Sequence, residues 1–367
     1  ASDVYKRQIH YFQPVSVFKK DLYKKILAFP KVKESEIERR IVELKKLGVT
    51  ALAGSLVAVS AQAGEMGVNG AANFTWAQKD GTEGKSIGTD KGLTVSGSGE
   101  LDNGWTFYVG TYISDAITIS SSVTTLTMGS MGTIKAGQAF GGAGASYDEE
   151  IPQAYEQLSD NYQNSSNLVG AGLDNNALIY DSPSFDMAGG SVSFDLAISP
   201  DATDNAVNNG GSGAHTGTYG LGYGAGMTIS GLAEGLTLGV YGDIRENVNN
   251  TAAGEDVTRD AFTGTWYAKY SAGPVSLGYQ QSYLDAGRAA VSTAITAAKV
   301  VRTAGGLFEE TQMSIAFNVN DNVSISYTDA EDTYDSQGDV TAGTTNADVS
   351  MDTEMIQVSY SMGGMSI

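Results

Sequence analysis

The chain contains no cysteine, and its only two histidines are His10 and His215. Without cysteine there is no disulfide framework, no thiol nucleophile and no thiolate metal site. His215 is the one histidine after residue 63, so a multi-histidine metal site is excluded there. It stands in the glycine-rich stretch NNGGSGAHTG, where we expect a solvated side chain and no histidine-based triad. The remaining carboxylates, hydroxyls and lysines form no recognisable catalytic arrangement. We therefore expect neither an enzyme nor a tightly bound cofactor.

A long apolar run is also missing. The weakly apolar stretch 47–59 covers about 13 residues, whereas a membrane-spanning helix needs roughly 20. Lys45 and Lys46 precede this stretch, and the small-residue sequence Ala61-Gln62-Ala63 follows it. A basic flank, a short apolar core and an A-x-A site are the three parts of a secretory signal peptide. The pattern predicts a signal peptide at residues 45–63 that is cleaved after Ala63.

Residues 1–44 need a separate explanation, because no methionine occurs before Met66. Ile37, Ile41 and Leu44 recur at helical spacing, which favours a helical N-terminal extension. The opening ASDVYKRQ instead resembles translated sequencing-adapter sequence. We favour the second interpretation, in which residues 1–44 are extraneous and the natural start lies near residues 41–44.

Basic residues are scarce after residue 63. Residues 1–63 hold 12 of the 22 Lys and Arg but only 6 of the 42 Asp and Glu, which leaves 10 basic and 36 acidic residues and a net charge of −26. Nucleic-acid binding depends on Lys and Arg that neutralise phosphates. This charge balance therefore excludes nucleic acid as a partner.

From residue 66 onward, apolar and polar residues alternate over runs of about 8–12 residues. A period of two places one kind of side chain on each face of a β-strand. No comparable helical stripe follows residue 64, so the pattern predicts an all-β chain. The clearest apolar faces are Trp105/Phe107/Val109, Val192/Phe194/Leu196/Ile198, Leu236/Leu238/Val240, Val275/Leu277/Tyr279, Met313/Ile315/Phe317 and Ile356/Val358/Tyr360.

Both a soluble β-sandwich and a membrane barrel show this alternation, and the connections decide between them. Short turns, such as 102–104, 231–235 and 320–322, alternate with long connections, such as 79–91, 141–174 and 285–307. Small turns at one end and large loops at the other are typical of a transmembrane antiparallel up-and-down β-barrel. About 14–15 strands fit between residues 64 and 367, which predicts a sixteen-stranded parent without its C-terminal hairpin and with a non-barrel N-terminal extension.

Two stretches carry a family resemblance. NALIYDSPSF (176–185) and MGTIKAGQAFGG (131–142) resemble the strands that flank the third loop of Gram-negative general diffusion porins. The resemblance covers residues 45–367 and implies a homotrimer in the lipid of the outer membrane. It also implies that the loop 141–174 folds into the barrel and narrows the pore.

The resemblance assigns candidate pore residues of both signs. The acidic side of the constriction would carry Asp148, Glu149, Glu150, Glu156 and Asp160. Lys135 and Lys269 are out of phase with their apolar neighbours and should point inward as the basic wall, and Arg245 joins them at a strand end. Facing clusters of opposite charge orient polar solutes, and rings of one sign set the ion preference.

The sequence thus favours an outer-membrane porin, a passive water-filled channel for small polar solutes and ions with a mild cation preference. Two alternatives remain: a substrate-specific channel on the same barrel, and a secreted β-rich adhesin or surface-layer protein. Acidic loops such as 329–339 are also candidates for weakly bound Ca²⁺, although they lack EF-hand spacing.

Overall fold

A computed structural model describes residues 64–78, 85–114, 118–160, 164–202, 219–248, 259–287, 306–335, 349–362 and 365–366. The predicted extension (1–44) and signal peptide (45–63) lie outside these residues. The first eight strands are β1 (Glu65–Gln78), β2 (Lys85–Glu100), β3 (Thr106–Ile113), β4 (Ile119–Thr127), β5 (Thr133–Gln138), β6 (Leu178–Asp181), β7 (Phe185–Met187) and β8 (Gly190–Ser199). The others are β9 (Tyr219–Ser230), β10 (Leu236–Asn247), β11 (Ala261–Ala272), β12 (Val275–Asp285), β13 (Leu307–Asn320), β14 (Val323–Asp335), β15 (Val349–Met362) and β16 (Met365–Ser366).

Every strand pairs antiparallel with its neighbour in sequence, except that β6 and β7 both pair with β8. They are two halves of one strand, interrupted at Pro183, which has no N–H to donate to a ladder. Ser182 bridges the interruption: its N–H donates to the Phe194 carbonyl at 2.8 Å, and its hydroxyl accepts the Phe194 N–H at 2.8 Å. Within the described residues the sheet therefore has fourteen long strands and the short β16, as the sequence predicted.

The two faces of the sheet invert the arrangement of a soluble protein. On β13 the polar residues Glu310 and Gln312 are 1% and 0% exposed, whereas Met313 and Ile315 are 50% and 46% exposed. The same alternation of exposed apolar and covered polar residues runs along β8 to β15. An apolar exterior around a polar interior is the pattern of a transmembrane β-barrel, and this confirms the predicted fold class.

The connections differ from the prediction in length. β2 begins at Lys85, opposite Gln78, so six residues connect the two strands instead of the thirteen predicted at 79–91, because polar residues continue the ladder beyond the apolar stretch. At the tight turns, backbone geometry is more demanding. Gly235 has φ of 79°, and a β-carbon there would clash with the Ser271 carbonyl, so only glycine fits the turn between β9 and β10.

A long irregular stretch between β5 and β6 lies against the inner face of the sheet. We call residues 139–177 the inner segment; 139–160 and 164–177 of it are described. It contains short 3₁₀ turns at Gly144–Ser146, Leu158–Asp160, Ser166–Leu168 and Ala171–Leu173. Because this one segment contacts strands from β8 to β15, the sheet curves around it. No helix in the described ranges is long and apolar enough to cross a membrane.

Candidate functional site

The inner segment closes on itself where it leaves and rejoins the sheet. The Ala139 N–H donates to Asn175 Oδ1 at 2.8 Å, and the Gly141 N–H donates to the Asp174 carboxylate. Gly144 and Gly170 pack backbone against backbone, so that a β-carbon on either would collide with the other. The segment is therefore a loop with an outbound limb (139–160) and a return limb (164–177) held together at the base.

Tyr147 anchors the outbound limb. Its ring is fully buried, stacks on Tyr241 with centroids 5.3 Å apart, and lies 6.4 Å from the ring of Tyr267. Gly226 on β9 leaves the space for this ring, and the Tyr147 hydroxyl donates to the Asp195 carboxylate on β8. Burial raises the pKa of this hydroxyl above its usual value, and the hydrogen bond to Asp195 raises it further, so Tyr147 stays a donor.

Side chains of the barrel wall bind the backbone of the outbound limb. Gln280 donates to the Tyr147 carbonyl at 2.8 Å and accepts the Glu150 N–H at 2.6 Å. Further along, the Ala154 N–H donates to Ser326 Oγ at 2.9 Å, and Gln357 accepts the Tyr155 N–H at 3.0 Å. Because the segment has little regular structure, these wall side chains supply partners that its buried backbone groups would otherwise lack.

The return limb is held in the same way, by side chains of β11, β13 and β14. Ser165 Oγ lies 2.8 and 2.9 Å from the two oxygens of Asp332 on β14. The Ser166 N–H donates to Glu310 on β13 at 2.6 Å, and the Gly170 N–H donates to Thr263 Oγ1 on β11 at 3.0 Å. Leu173 completes this limb by packing in the buried cluster around Tyr147.

The inner face of the sheet is consequently divided in two. On the covered wall, the inner face of β11–β14, the segment buries polar side chains: Thr263, Thr265, Gln280, Ser282, Glu310, Gln312, Ser314, Ser326, Thr328 and Asp332. On the open wall, the inner face of β2–β5, inward side chains stay half-buried or exposed: Thr94, Ser96, Ser98, Tyr108, Tyr112, Thr125, Thr127, Thr133 and Lys135. Within the part of the chain that the structure describes, these side chains stay accessible, and an accessible polar inner surface is what lines the aqueous interior of a transmembrane barrel.

Solved structures show the same architecture. A porin refined at 1.8 Å resolution matches with a TM-score of 0.52 and 15% identity, over 82% of this chain and 91% of that one. Salmonella typhi OmpF in complex with daunomycin matches with a TM-score of 0.57 and 14% identity, over 81% of this chain and 86% of that one. The chain has the porin fold. No protein-family model and no curated protein sequence matches it.

Within this porin fold, the predicted acidic residues have three different environments. Glu149 is 3% exposed and accepts from the Ser159 N–H at 2.9 Å and from Asn164 Nδ2 at 2.6 Å, so it joins the two limbs instead of facing the passage. Glu150 forms an ion pair with Lys269 on β11. Asp148 is half-buried, and burial, together with the charges of Glu149 and Glu150, raises its pKa to about 7.

The last two acidic candidates lie farther along the outbound limb. Glu156 is half-buried, and its carbonyl accepts Gln357 Nε2 at 2.6 Å. The side chain of Asp160 lies outside the described residues. The acidic stretch 329–339 is described only as far as Asp335, and the described residues contain no group of three or more His, Cys, Asp or Glu arranged for a metal ion. Weak Ca²⁺ binding therefore stays a prediction.

The predicted basic residues also have different environments. Lys135 lies on the inner face opposite the buried Ile179 and pairs with Asp181, while Lys269 pairs with Glu150 of the segment. Arg245 lies with its guanidinium 4.2 Å from the centroid of the Tyr219 ring and packs against Gly172 of the return limb. Among the described side chains it forms no close ion pair, although its charge interacts electrostatically with the Asp243 carboxylate on the same strand.

Sequence reasoning missed the residues that hold the segment in place. Tyr147, Gln280, Glu310 and Asp332 were not among the candidate pore residues, although each bonds the segment to the wall. One pattern points to them in hindsight: Gln280, Glu310 and Asp332 are large polar residues at inward positions of neighbouring strands, where small residues suffice to line water. Tyr147 gives no such indication in the sequence.

Proposed function

We propose that the chain forms a passive, water-filled channel in the outer membrane for small polar solutes and ions. The observation that carries this proposal is the division of the inner face into a covered and an open wall. The inner segment occupies one side of the barrel, and the polar open wall of β2–β5 is left to line a passage. Passive permeation needs such a wetted path and no catalytic group.

The proposed constriction is the space between the outbound limb and the open wall. In our proposal two groups affect permeating ions most directly: Asp148 on the outbound limb, and Arg245, which packs against the return limb. The Glu150–Lys269 and Lys135–Asp181 pairs contribute less, because each largely cancels its own charge. With 36 acidic residues against 10 basic ones after residue 63, the balance favours a mild preference for cations.

Single-channel recording in planar bilayers tests this proposal. We expect discrete conductance steps that scale with salt concentration, and a reversal potential under a KCl gradient that indicates cation preference. Liposome swelling with uncharged sugars of increasing size should give a smooth cut-off. Folded protein that inserts into bilayers without conductance would refute the channel.

The same recordings address the substrate-specific alternative. A selecting channel binds its solute, so conductance should fall with added solute and saturate, whereas a general porin shows no saturable block. The exposed apolar band of the barrel does not suit a secreted adhesin or surface-layer protein, which would have to keep that band in water. A homotrimer remains part of the proposal, and chemical cross-linking of folded protein in detergent would test it.

A further inference from the structure

The outer face of the sheet carries a groove that the channel proposal does not use. On this face Ala225, Gly242 and Gly264 are register partners on three adjacent strands, β9, β10 and β11. The row of residues beside them is large: Ile198, Tyr223, Ile244 and Phe262 are likewise in register. A row of minimal side chains next to a row of bulky ones leaves a furrow across the strands.

The furrow is a real cavity and not only a pattern. It has a volume of about 730 Å³ and continues from Gly242 past Leu196 on β8 to Leu178 on β6. Tyr223, Leu178 and Leu196 stand around it with roughly half of their surface exposed. Such a volume lies within the range of about 300–1,000 Å³ that is usual for small-molecule sites.

One end of the furrow is closed and the floor is open. At Gly264 the Phe262 ring already fills the space, because a β-carbon there would lie 2.7 Å from a ring carbon. At Gly242 the nearest atom to such a carbon is also on the Phe262 ring, at 3.4 Å, which is ordinary contact. An elongated ligand that enters from β6 would therefore run over Ala225 and Gly242 and end against the Phe262 ring.

The chemistry of the lining selects an apolar occupant. The lining side chains are aliphatic or aromatic, apart from glycines and Asp243, whose carboxylate accepts the Thr263 hydroxyl on the inner face of the sheet. No charged group is thus offered to a polar ligand. The furrow also lies within the exposed apolar band that faces hydrocarbon in a transmembrane barrel.

We propose that this furrow holds one acyl chain of a membrane lipid. A hydrocarbon chain lying in it gains van der Waals contact with the floor and the wall together, whereas a chain on a flat part of the band touches the protein on one side only. The lipid would be retained longer than its neighbours in the surrounding bilayer. The proposal rests on the transmembrane fold and is independent of channel activity.

Trp266 offers a reporter beside the furrow. It lies on the same outer face, two residues beyond Gly264 on β11, and faces Val240 across the ladder. A variant with Trp76→Phe and Trp105→Phe leaves it as the single tryptophan. The bilayers contain phospholipid that is brominated along its acyl chains and quenches tryptophan fluorescence. We expect Trp266 to be half-quenched at a several-fold lower mole fraction of this lipid than an even distribution of lipid around the protein would give.

Filling the furrow should abolish this additional quenching of Trp266. Ala225→Leu and Gly242→Leu place a side chain on the floor, while the control Ala268→Leu adds the same bulk to the outer face of β11 outside the furrow. In the two variants that fill the furrow, but not in the control, we expect quenching to follow the curve for evenly distributed lipid. Folding of each variant is checked by its heat-dependent gel mobility, and lipid retained in native mass spectra gives a second readout.

Three results would overturn the proposal. The first is a parental curve that already matches bulk lipid. The second is an equal loss of excess quenching in Ala268→Leu, which would indicate general contact with the band. The third is a change of oligomeric state in Gly242→Leu, which would make a second copy of the chain the occupant.

Discussion

The covered wall and the open wall both present polar side chains to the interior of the barrel, but the covered wall also carries large ones such as Gln280, Glu310 and Asp332. Inward Ser or Thr occurs on both walls, yet Ser282 on the covered wall is 0% exposed, whereas Tyr108 on the open wall is 37% exposed. The difference comes from the inner segment, which is bonded to the covered wall through the Gly170 N–H and the Tyr147 carbonyl. A polar inward face is therefore not by itself a pore lining; its role depends on what is folded against it.

The covered wall also shows why an irregular segment can be held in one conformation. Backbone N–H groups of Glu150, Ala154, Ser166 and Gly170 each find a wall side chain instead of a neighbour in a helix or sheet. A buried N–H left without a partner costs about 1–3 kcal/mol. The wall side chains consequently determine the shape of the segment, and with it the width of the passage.

The largest effect should come from removing Tyr147, the anchor of the outbound limb. Tyr147→Ala deletes a fully buried ring and leaves Asp195 without its donor, and removal of a large aromatic from a core costs about 3–5 kcal/mol. We expect a lower unfolding temperature, faster proteolysis of the segment and a larger single-channel conductance.

Tyr108→Ala on the open wall is the matched control, since it removes the same side chain from a water-exposed position. It should leave stability nearly unchanged and alter conductance only through the space that it frees. Equal losses of stability in the two variants would show that the segment is not what distinguishes the walls.

Much of the barrel, but little of the inner segment, could be predicted from the sequence. Strict alternation predicted the strands, the outward apolar band and the inward direction of Lys135 and Lys269, because a period of two is a local property. The pairing of Glu150 with Lys269 joins residues 119 positions apart, and no local pattern records it. For the same reason, the sequence did not distinguish Glu149 from Asp148 and Glu150. In the structure, Glu149 instead bonds to Ser159 and Asn164 within the inner segment.

A smaller effect should follow from the loss of polar contacts alone. Gln280→Leu keeps the volume of the side chain but removes the partners of the Tyr147 carbonyl and the Glu150 N–H, at a cost of about 1–3 kcal/mol for each buried group. Thermal unfolding followed by gel mobility should show a loss smaller than that of Tyr147→Ala. Ser96→Ala on the open wall should show none, and a loss in that variant as large as in Gln280→Leu would contradict the assignment of the two walls.

Ion selectivity should change when the ion pair between the inner segment and the barrel wall is removed. Lys269→Gln removes the partner of Glu150 and leaves its negative charge beside the passage, so the reversal potential in a KCl gradient should move toward cations. The double variant Lys269→Gln/Glu150→Gln removes both charges and should return close to the parent. If the double variant differs from the parent as much as the single one does, the pair is not the source of the change.

The most specific effect concerns pH. Burial next to Glu149 and Glu150 raises the pKa of Asp148 from 3.8 to about 7, which means that the folded segment favours the protonated form. The resulting stabilisation is complete below about pH 4 and is lost as the pH rises through 7, by at most about 1.4 kcal/mol per pH unit. We expect the segment to be cleaved by protease more readily at pH 8 than at pH 5, and cation preference to increase over the same range as Asp148 ionises. Asp148→Asn, which is neutral throughout, should flatten both trends, whereas Asp186→Asn at an exposed position of β7 should leave them intact. Because Lys269 already neutralises Glu150, a pH dependence that survives in Asp148→Asn would have to arise elsewhere on the inner face, and would show that Asp148 is not the group that links the charge of the passage to the docking of the segment.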